Sequence, residues 1–223
     1  MIHIPFFGDR HRNAPDFYKE YLETFQKRKV KNIPVEDLRF VVFDTETTGT
    51  DVRNDRILSI GAVVITRNTI QVSETFEVFV EQDFFDAESV PVHGIMKQGK
   101  HERKSEEEAI KAFLKFIDNS ILVGHHVGFD IAMVNYALKR LGAYKLKNKA
   151  LDTGLLYART IHPINVIRQD KQYTLDEVCE ELKIDRADRH KAAGDAYITA
   201  IAFLKIRGRM EVKGKLTYRH LTR

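Results

Sequence analysis

Two acidic side chains stand close together at the end of an apolar segment. Asp44 and Glu46 lie within residues 41–49 (VVFDTETTG), where the residues before Asp44 are apolar and Thr48 and Gly49 signal a turn. Side chains alternate between the two faces of a strand, so these two carboxylates are expected on one face. Such a pair repels unless a cation lies between them, and oxygen ligands suit Mg²⁺ or Mn²⁺. Taken alone, the pattern equally fits two solvated acids at a strand end.

A second segment places an acid in the first turn of a predicted helix. In residues 122–130 (LVGHHVGFD), Asp130 begins a helix predicted over 129–141, where the helix dipole would favour an acid in any case. His125 and His126 precede it on a segment that we expect to be extended. Neighbouring side chains on an extended segment point in opposite directions, so we do not expect these two histidines to share one metal ion.

A third segment combines a histidine with an aspartate five residues later. In residues 189–195 (RHKAAGD), the two positions would be about 140° apart on a continuous helix. His190 therefore meets Asp195 only if it lies in the loop or first turn, with Asp195 on the helix face. A partly exposed imidazole suits proton abstraction near neutral pH. A surface histidine beside an unrelated surface aspartate is the alternative interpretation.

The elements that must position these groups indicate an α/β fold with a mixed central sheet flanked by helices. A buried strand is predicted over 39–45, two further strands over 57–66 and 69–80 are joined at Arg67 and Asn68, and a short strand is predicted over 121–124. Helices are predicted near 15–29, behind the capping boxes at 105–108 and 174–177, and over 129–141 and 191–206. Strands followed by alternating helices and strands are typical of this class.

Composition and charge exclude several classes of protein. The 14 Phe and 8 Tyr supply apolar surface for a core, which argues against disorder. One cysteine, Cys179, rules out an intramolecular disulfide and a cysteine-cluster zinc site. No apolar run approaches the roughly 18 residues of a membrane span, and the first apolar stretch is too short for a signal peptide. We therefore expect a cytoplasmic protein that does not associate with membranes.

Basic residues are concentrated in two runs, although the net charge is only +4. Residues 139–149 hold five basic residues and no acid, and the segment from Arg207 to Arg223 holds six against Glu211 alone. Solvated surfaces explain such runs as well as a nucleic-acid partner does.

The three chemical segments together resemble the DEDDh 3′→5′ exonucleases, a family that includes polymerase proofreading subunits, RNase T and oligoribonuclease. The resemblance rests on residues 44–49 (DTETTG), 124–130 and 190–195, and covers about residues 39–206. It implies a ribonuclease H-like fold. The chain would then consist of an N-terminal helical extension (1–38), an exonuclease domain (39–206) and a basic C-terminal tail (207–223).

The same resemblance implies a catalytic centre with two divalent ions, Mg²⁺ or Mn²⁺. Asp44, Glu46 and Asp195 would hold one ion, Asp44 would bridge to the second, and Asp130 would support that second ion through water. His190 would be the general base that removes a proton from the attacking water.

Substrate contacts are also implied by the resemblance. The backbone N–H groups of Thr47 and Thr48 would meet the terminal 3′-hydroxyl, and other residues would surround the last nucleotide: His93, Gly94, Ile95, His126 and Phe129. Many family members carry Asn at the position of His126, so the contact made there is expected to differ.

The function expected from these residues is a metal-dependent exonuclease that acts on the 3′ ends of single-stranded DNA. It would work alone or with a DNA polymerase, in proofreading or repair. An exoribonuclease that trims RNA is the alternative within enzymes, because no motif reports on the 2′-hydroxyl. The basic segments also fit a third interpretation, a non-catalytic nucleic-acid-binding module.

Overall fold

The structure is a computed structural model that describes residues 11–25, 30–82, 102–161, 171–210 and 214–222. Three predicted substrate residues, His93, Gly94 and Ile95, lie outside the described residues. The same is true of residues 26–29 of the first predicted helix and of residues 211–213 and Arg223 in the basic tail.

A six-stranded mixed sheet forms the centre of the molecule. Its strands are β1 (Phe40–Thr47), β2 (Ile57–Thr66), β3 (Thr69–Val80), β4 (Arg103–Lys104), β5 (Ile121–Gly124) and β6 (Ala150–Asp152). They are arranged in the order β4-β3-β2-β1-β5-β6. The pairs β1–β2 and β2–β3 are antiparallel, whereas β3–β4, β1–β5 and β5–β6 are parallel. The predicted mixed sheet is therefore confirmed.

Seven helices accompany the sheet in the described part of the chain. They are α1 (Asp16–Glu23), α2 (Glu106–Ile117), α3 (Gly128–Arg140), α4 (Thr153–Thr160), α5 (Leu175–Leu182), α6 (Ala192–Arg209) and α7 (Tyr218–Leu221). Ser105 and Thr174 cap α2 and α5 through complete capping boxes, as the sequence predicted. A short 3₁₀ turn at Val35–Asp37 leads into β1. None of the helices in the described ranges is long and apolar enough to cross a membrane.

The alternation of side chains along β1 divides the core into two layers. Val41 and Phe43 belong to a cluster formed with α1, α2 and α3, whereas Phe40 and Val42 face a second cluster built from α4, α5, α6 and α7. By the same alternation, Asp44 and Glu46 follow Val42 on the face that α6 covers, and Thr45 points to the face that α3 covers. The period of one strand thus places Asp44 and Glu46 on the same face of the sheet.

Helix α6 lies unusually close to β2, and a glycine permits it. A Cβ atom built on Gly61 would be 2.1 Å from the backbone nitrogen of Ala193, in the first turn of α6. Any side chain at this position would therefore push the start of the helix away from the sheet.

Both terminal segments pack against the central domain. The Tyr18 hydroxyl of α1 donates to the carbonyl of Lys145 at 2.7 Å, and Tyr21 donates to Asn148. Near the C-terminus, Tyr218 and Leu221 are buried, and Arg159 donates to the carbonyl of Leu221 at 2.7 Å. The described parts of the extension and of the tail therefore contribute to the core.

Candidate active site

Three carboxylates meet where β1 ends. Asp44 and Glu46 project from the last residues of β1, and Asp195 comes from the first turn of α6. One carboxylate oxygen from each residue lies within 4.8 Å of the others. A register shift between β1 and β2 follows Glu46, so the strand pairing becomes irregular where the acids emerge. The structure thus brings Asp195 beside two acids that lie 149 and 151 positions earlier in the sequence.

Asp130 lies beside this cluster, on the other side of β1. It is buried in the first turn of α3, and its Oδ1 accepts hydrogen bonds from the Thr45 backbone N–H at 3.0 Å and from the Thr45 hydroxyl at 2.7 Å. These bonds hold the Asp130 side chain against Thr45, the residue between Asp44 and Glu46. Its charge still acts on both neighbours, because it raises their pKa values.

Burial and mutual repulsion oppose ionisation of the acids. Burial is the main cause that raises the pKa of Glu46 to about 7, followed by the charges of Asp195 and Asp130. Burial also raises the pKa of Asp130 to about 7, against the hydrogen bonds from Thr45. The pKa of Asp44 is raised well above its usual range, by burial first and then by its three acidic neighbours. A divalent cation would relieve this excess of negative charge.

His190 is placed in the loop directly before α6. Its backbone has a positive φ of 65° and its side chain is exposed. The backbone N–H donates to Asp195 Oδ2 at 3.2 Å. This turn places the backbone of His190 directly beside Asp195, as the prediction of a loop position for His190 requires.

Arg189 is a further residue of the site, and the sequence did not single it out. Its Nη1 lies 2.5 Å from Asp195 Oδ1, and its Nε donates to Asp176 Oδ1 at 2.9 Å. Asp176 belongs to the first turn of α5. The only signal in the sequence is the position of Arg189 next to His190, which does not reveal either partner.

The two adjacent histidines contradict the expectation that they point in opposite directions. Nε2 of His125 and Nε2 of His126 lie 2.8 and 2.9 Å from the same acceptor, the carbonyl oxygen of Tyr173. The segment is not extended here, because His126 has a φ of 56° and the chain turns. Burial, followed by the charge of His126, lowers the pKa of His125 to about 4. Both rings hold the segment that leads into α5.

The remaining substrate candidates are engaged within the protein. The Thr48 backbone N–H donates to the carbonyl of Arg56 at 2.9 Å, and its hydroxyl donates to Asp55 at 2.7 Å. The Thr47 hydroxyl donates to the carbonyl of Gly49 at 2.7 Å. Phe129 is half-buried against the core layer under α3. In this structure Thr48 therefore shapes the loop after β1 and has no free N–H for a 3′-hydroxyl.

The residues fit a site for Mg²⁺ or Mn²⁺. Its donors are carboxylate oxygens, which are the ligands that these hard cations prefer. Three carboxylates converge, two from β1 and one from α6. Because they are partly buried, water screens their mutual repulsion poorly, and a cation would offset it.

Comparison with known proteins decides the family. The model of a family described as exonuclease, RNase T, matches residues 41–203. The chain belongs to this exonuclease family. The match contains all three segments from which the resemblance to DEDDh exonucleases was drawn.

Relatives of this exonuclease include subunits of bacterial DNA polymerases. It is 33% identical over 171 residues to the DNA polymerase III subunit epsilon of Aquifex aeolicus, covering 76% of this chain and 81% of that protein. It is 31% identical over 210 residues to the PolC-type DNA polymerase III of Thermotoga petrophila. That match covers 91% of this chain but only 15% of the polymerase.

Solved structures of other exonucleases share the fold. E. coli Exonuclease I in complex with a dA16 oligonucleotide superposes with a TM-score of 0.66 at 17% identity, covering 78% of this chain and 41% of that chain. Exonuclease X in complex with 5′-overhanging duplex DNA superposes with a TM-score of 0.58 at 19% identity, covering 83% and 98%. The ribonuclease H-like fold that the sequence predicted is confirmed.

Proposed function

We propose that this exonuclease removes nucleotides from the 3′ end of DNA by metal-dependent hydrolysis. The observation that carries the proposal is the meeting of Asp44, Glu46 and Asp195, with one oxygen of each within 4.8 Å. His190 at the edge of the same cluster supplies the group that hydrolysis needs to take up a proton.

The carboxylates would hold two divalent ions, Mg²⁺ or Mn²⁺. Asp44, Glu46 and Asp195 are the ligands of one ion in this proposal, with Asp44 shared and Asp130 supporting the second. Bound ions would supply charge stabilisation for the scissile phosphate and for the leaving oxygen. Asp130 is also held to Thr45 by two hydrogen bonds, so it fixes the course of β1 between the two ligands.

His190 is the proposed general base. Its side chain is exposed, so a proton that it accepts can pass to solvent. Its backbone is tied to Asp195, so the base and a metal ligand move as one unit. The side chain can therefore receive a proton from water beside the cluster without disturbing the ligands.

DNA is the favoured substrate. The epsilon relatives are DNA polymerase subunits by name, and two solved neighbours are described as complexes, one with a dA16 oligonucleotide and one with 5′-overhanging duplex DNA. We propose single-stranded 3′ ends as the substrate, a DNA polymerase as the partner in proofreading or repair, and the cytoplasm as the compartment. Trimming of RNA is the second candidate function, since the described residues contain no group assigned to the 2′-hydroxyl.

The experiment that tests the proposal uses 5′-labelled single-stranded DNA and RNA of the same sequence, with Mn²⁺, Mg²⁺ or EDTA. Stepwise shortening from the 3′ end is expected with either metal, and none with EDTA. Faster release from DNA than from RNA supports the DNA assignment, and the reverse selects the RNA function. A folded protein that binds both strands and shortens neither would favour a binding module.

A metal-ligand variant tests the site itself. Asp44→Asn is expected to lower the rate by at least about 10³-fold, because it removes the ligand proposed to bridge the ions. Asp16→Asn is the matched control, since Asp16 is an exposed acid at the start of α1 and should leave the rate unchanged. Equal rates for the two variants would contradict the metal assignment.

A further inference from the structure

Arg189 connects the carboxylate cluster to an acid outside it. Its guanidinium lies between Asp195, which is buried, and Asp176, whose side chain is 46% exposed. The arginine side chain itself is 17% exposed, so much of its charge acts inside the protein. It is therefore a cation built into a cluster that the proposed function assigns to metal ions.

We propose that Arg189 is a positioning residue that neutralises Asp195 in the metal-free protein and competes with the divalent ion for that carboxylate, while Asp176 limits the competition. This inference rests on the proposed metal site and deepens it. It assigns Arg189 no contact with substrate.

The contacts of Asp195 show why the competition can be resolved in favour of a metal ion. Oδ2 accepts the His190 N–H, whereas Oδ1 is buried and pairs with the charge of Arg189 at 2.5 Å. A divalent ion that takes Oδ1 therefore replaces the ion pair with Arg189 and leaves the hydrogen bond to Oδ2 in place.

The influence of Arg189 extends to the other ligands. Its guanidinium pairs with Asp195, and one oxygen of Asp195 lies within 4.8 Å of an oxygen of Asp44 and of Glu46. A positive charge this close to the cluster repels a divalent cation. Arg189 thus reduces the affinity of the whole cluster for a metal ion.

Asp176 offsets part of the positive charge of Arg189 and so weakens the effect of Arg189 on the cluster. It accepts from Arg189 Nε at 2.9 Å, and its carboxylate lies 3.8 Å from Arg186, which is exposed. Removing the charge of Asp176 leaves Arg189 to act on Asp195 alone. The two substitutions, Arg189→Gln and Asp176→Asn, should therefore change metal affinity in opposite directions.

The test measures the dissociation constant of Mn²⁺ on the full chain without nucleic acid, by electron paramagnetic resonance. Arg189→Gln is expected to bind Mn²⁺ about 5- to 10-fold more tightly, and Asp176→Asn about 2- to 5-fold more weakly. Arg186→Gln removes a charge from the same loop without touching Asp195, so its affinity should stay within about twofold of wild type. In EDTA, Arg189→Gln should also melt at a lower temperature, and Mn²⁺ should raise its melting temperature more than that of wild type.

The outcomes separate this inference from the proposed function. A wild-type protein that binds no Mn²⁺ overturns the metal site and the inference with it. A wild-type protein that binds Mn²⁺, combined with an Arg189→Gln variant of equal or weaker affinity, overturns the inference alone. If Arg189→Gln does not fold, Asp176→Asn decides, since unchanged or tighter Mn²⁺ binding by that variant contradicts the role given to Arg189.

Discussion

The acidic residues at the end of β1 and beside it are not fully paired with positive charges. Glu46 and Asp130 have pKa values raised to about 7, mainly by burial, so the metal-free protein retains protons that free carboxylates would have lost. Protons and divalent cations therefore compete for the same oxygen atoms. Metal binding should weaken as the pH falls below about 7.

The raised pKa of Glu46 has a consequence for stability. The folded state binds a proton more tightly than the unfolded state, so this residue costs stability as the pH rises from about 4.5 to above 7. In EDTA at pH 8, Glu46→Gln should therefore be more stable than wild type by about 2–3 kcal/mol, whereas at pH 4 the two proteins should be nearly equal. Urea titrations at both pH values measure this difference. A constant difference between pH 4 and pH 8 would show that Glu46 does not titrate in this range.

A variant of His190 can separate the role of a general base from that of a metal ligand. His190→Ala is expected to lower the rate of hydrolysis by about 10²–10⁴-fold, because no other group would take the proton from water. Its affinity for Mn²⁺ should stay close to that of wild type, since the backbone N–H that holds Asp195 is retained. A loss of rate below about threefold would identify His190 as an ordinary surface histidine.

The acids and His190 could be found from the sequence because their types and spacing are unusual in combination. Arg189 and Asp176 could not, since their contact depends on how the loop between α5 and α6 closes. The contact of His125 and His126 with the same carbonyl group could not be predicted for a related reason. One positive φ at His126 turns the chain, and the sequence has no signal for it.

At the scale of elements, strong periodicity made the long strands and helices predictable. The bounds predicted for the second and third strands, 57–66 and 69–80, agree with the structure, and both capping boxes begin their helices where expected. The first strand continues two residues beyond its predicted end, to Thr47. The helix predicted over 191–206, α6, continues to Arg209. The two-residue strand β4 and the three-residue strand β6 are too short to show a period, and β4 was not predicted.

The contact between α6 and β2 can be tested by a pair of glycine substitutions. Gly61→Ala places a Cβ against the backbone of Ala193, so it should displace the start of α6 together with Asp195. We expect a loss of stability of about 1–3 kcal/mol and a loss of activity. Gly208→Ala lies on the exposed end of the same helix, where a Cβ meets no atom within 4 Å.

The control should behave in the opposite way. Gly208→Ala should stabilise the protein by up to about 1 kcal/mol, because alanine favours a helix more than glycine does, and should leave activity unchanged. Thermal unfolding and the release of labelled nucleotides measure both variants. Normal activity and stability in Gly61→Ala would show that α6 is not held by this close approach.

At the scale of the whole molecule, the terminal segments are part of one packed structure. Tyr18, Tyr21 and Leu22 of α1 are buried in the same core cluster as residues of α2. Residues near the C-terminus pair with the segment before β1, where the Val35 N–H donates to the carbonyl of Leu216 at 2.9 Å. The division at residues 38 and 207 stays a prediction drawn from the resemblance. The resemblance ends at about residue 206, so no motif indicated that Tyr218 and Leu221 are buried.

The contribution of the C-terminal helix to stability can be measured directly. Leu221→Ala removes a buried side chain and should lower the free energy of unfolding by about 2–4 kcal/mol. Arg219→Ala changes an exposed neighbour in the same short helix and should cost less than about 0.5 kcal/mol. Denaturant unfolding of the two variants compares them. Equal stability would mean that the helix does not pack against the core in solution.

The three acids of the cluster enter the chain far apart, two on β1 and the third on α6. Chain synthesis proceeds from the N-terminus, so Asp44 and Glu46 are made well before Asp195. A chain that has not yet reached α6 therefore carries two of the acids but no complete cluster. On the proposed function, hydrolysis would begin only after α6 has packed over Gly61.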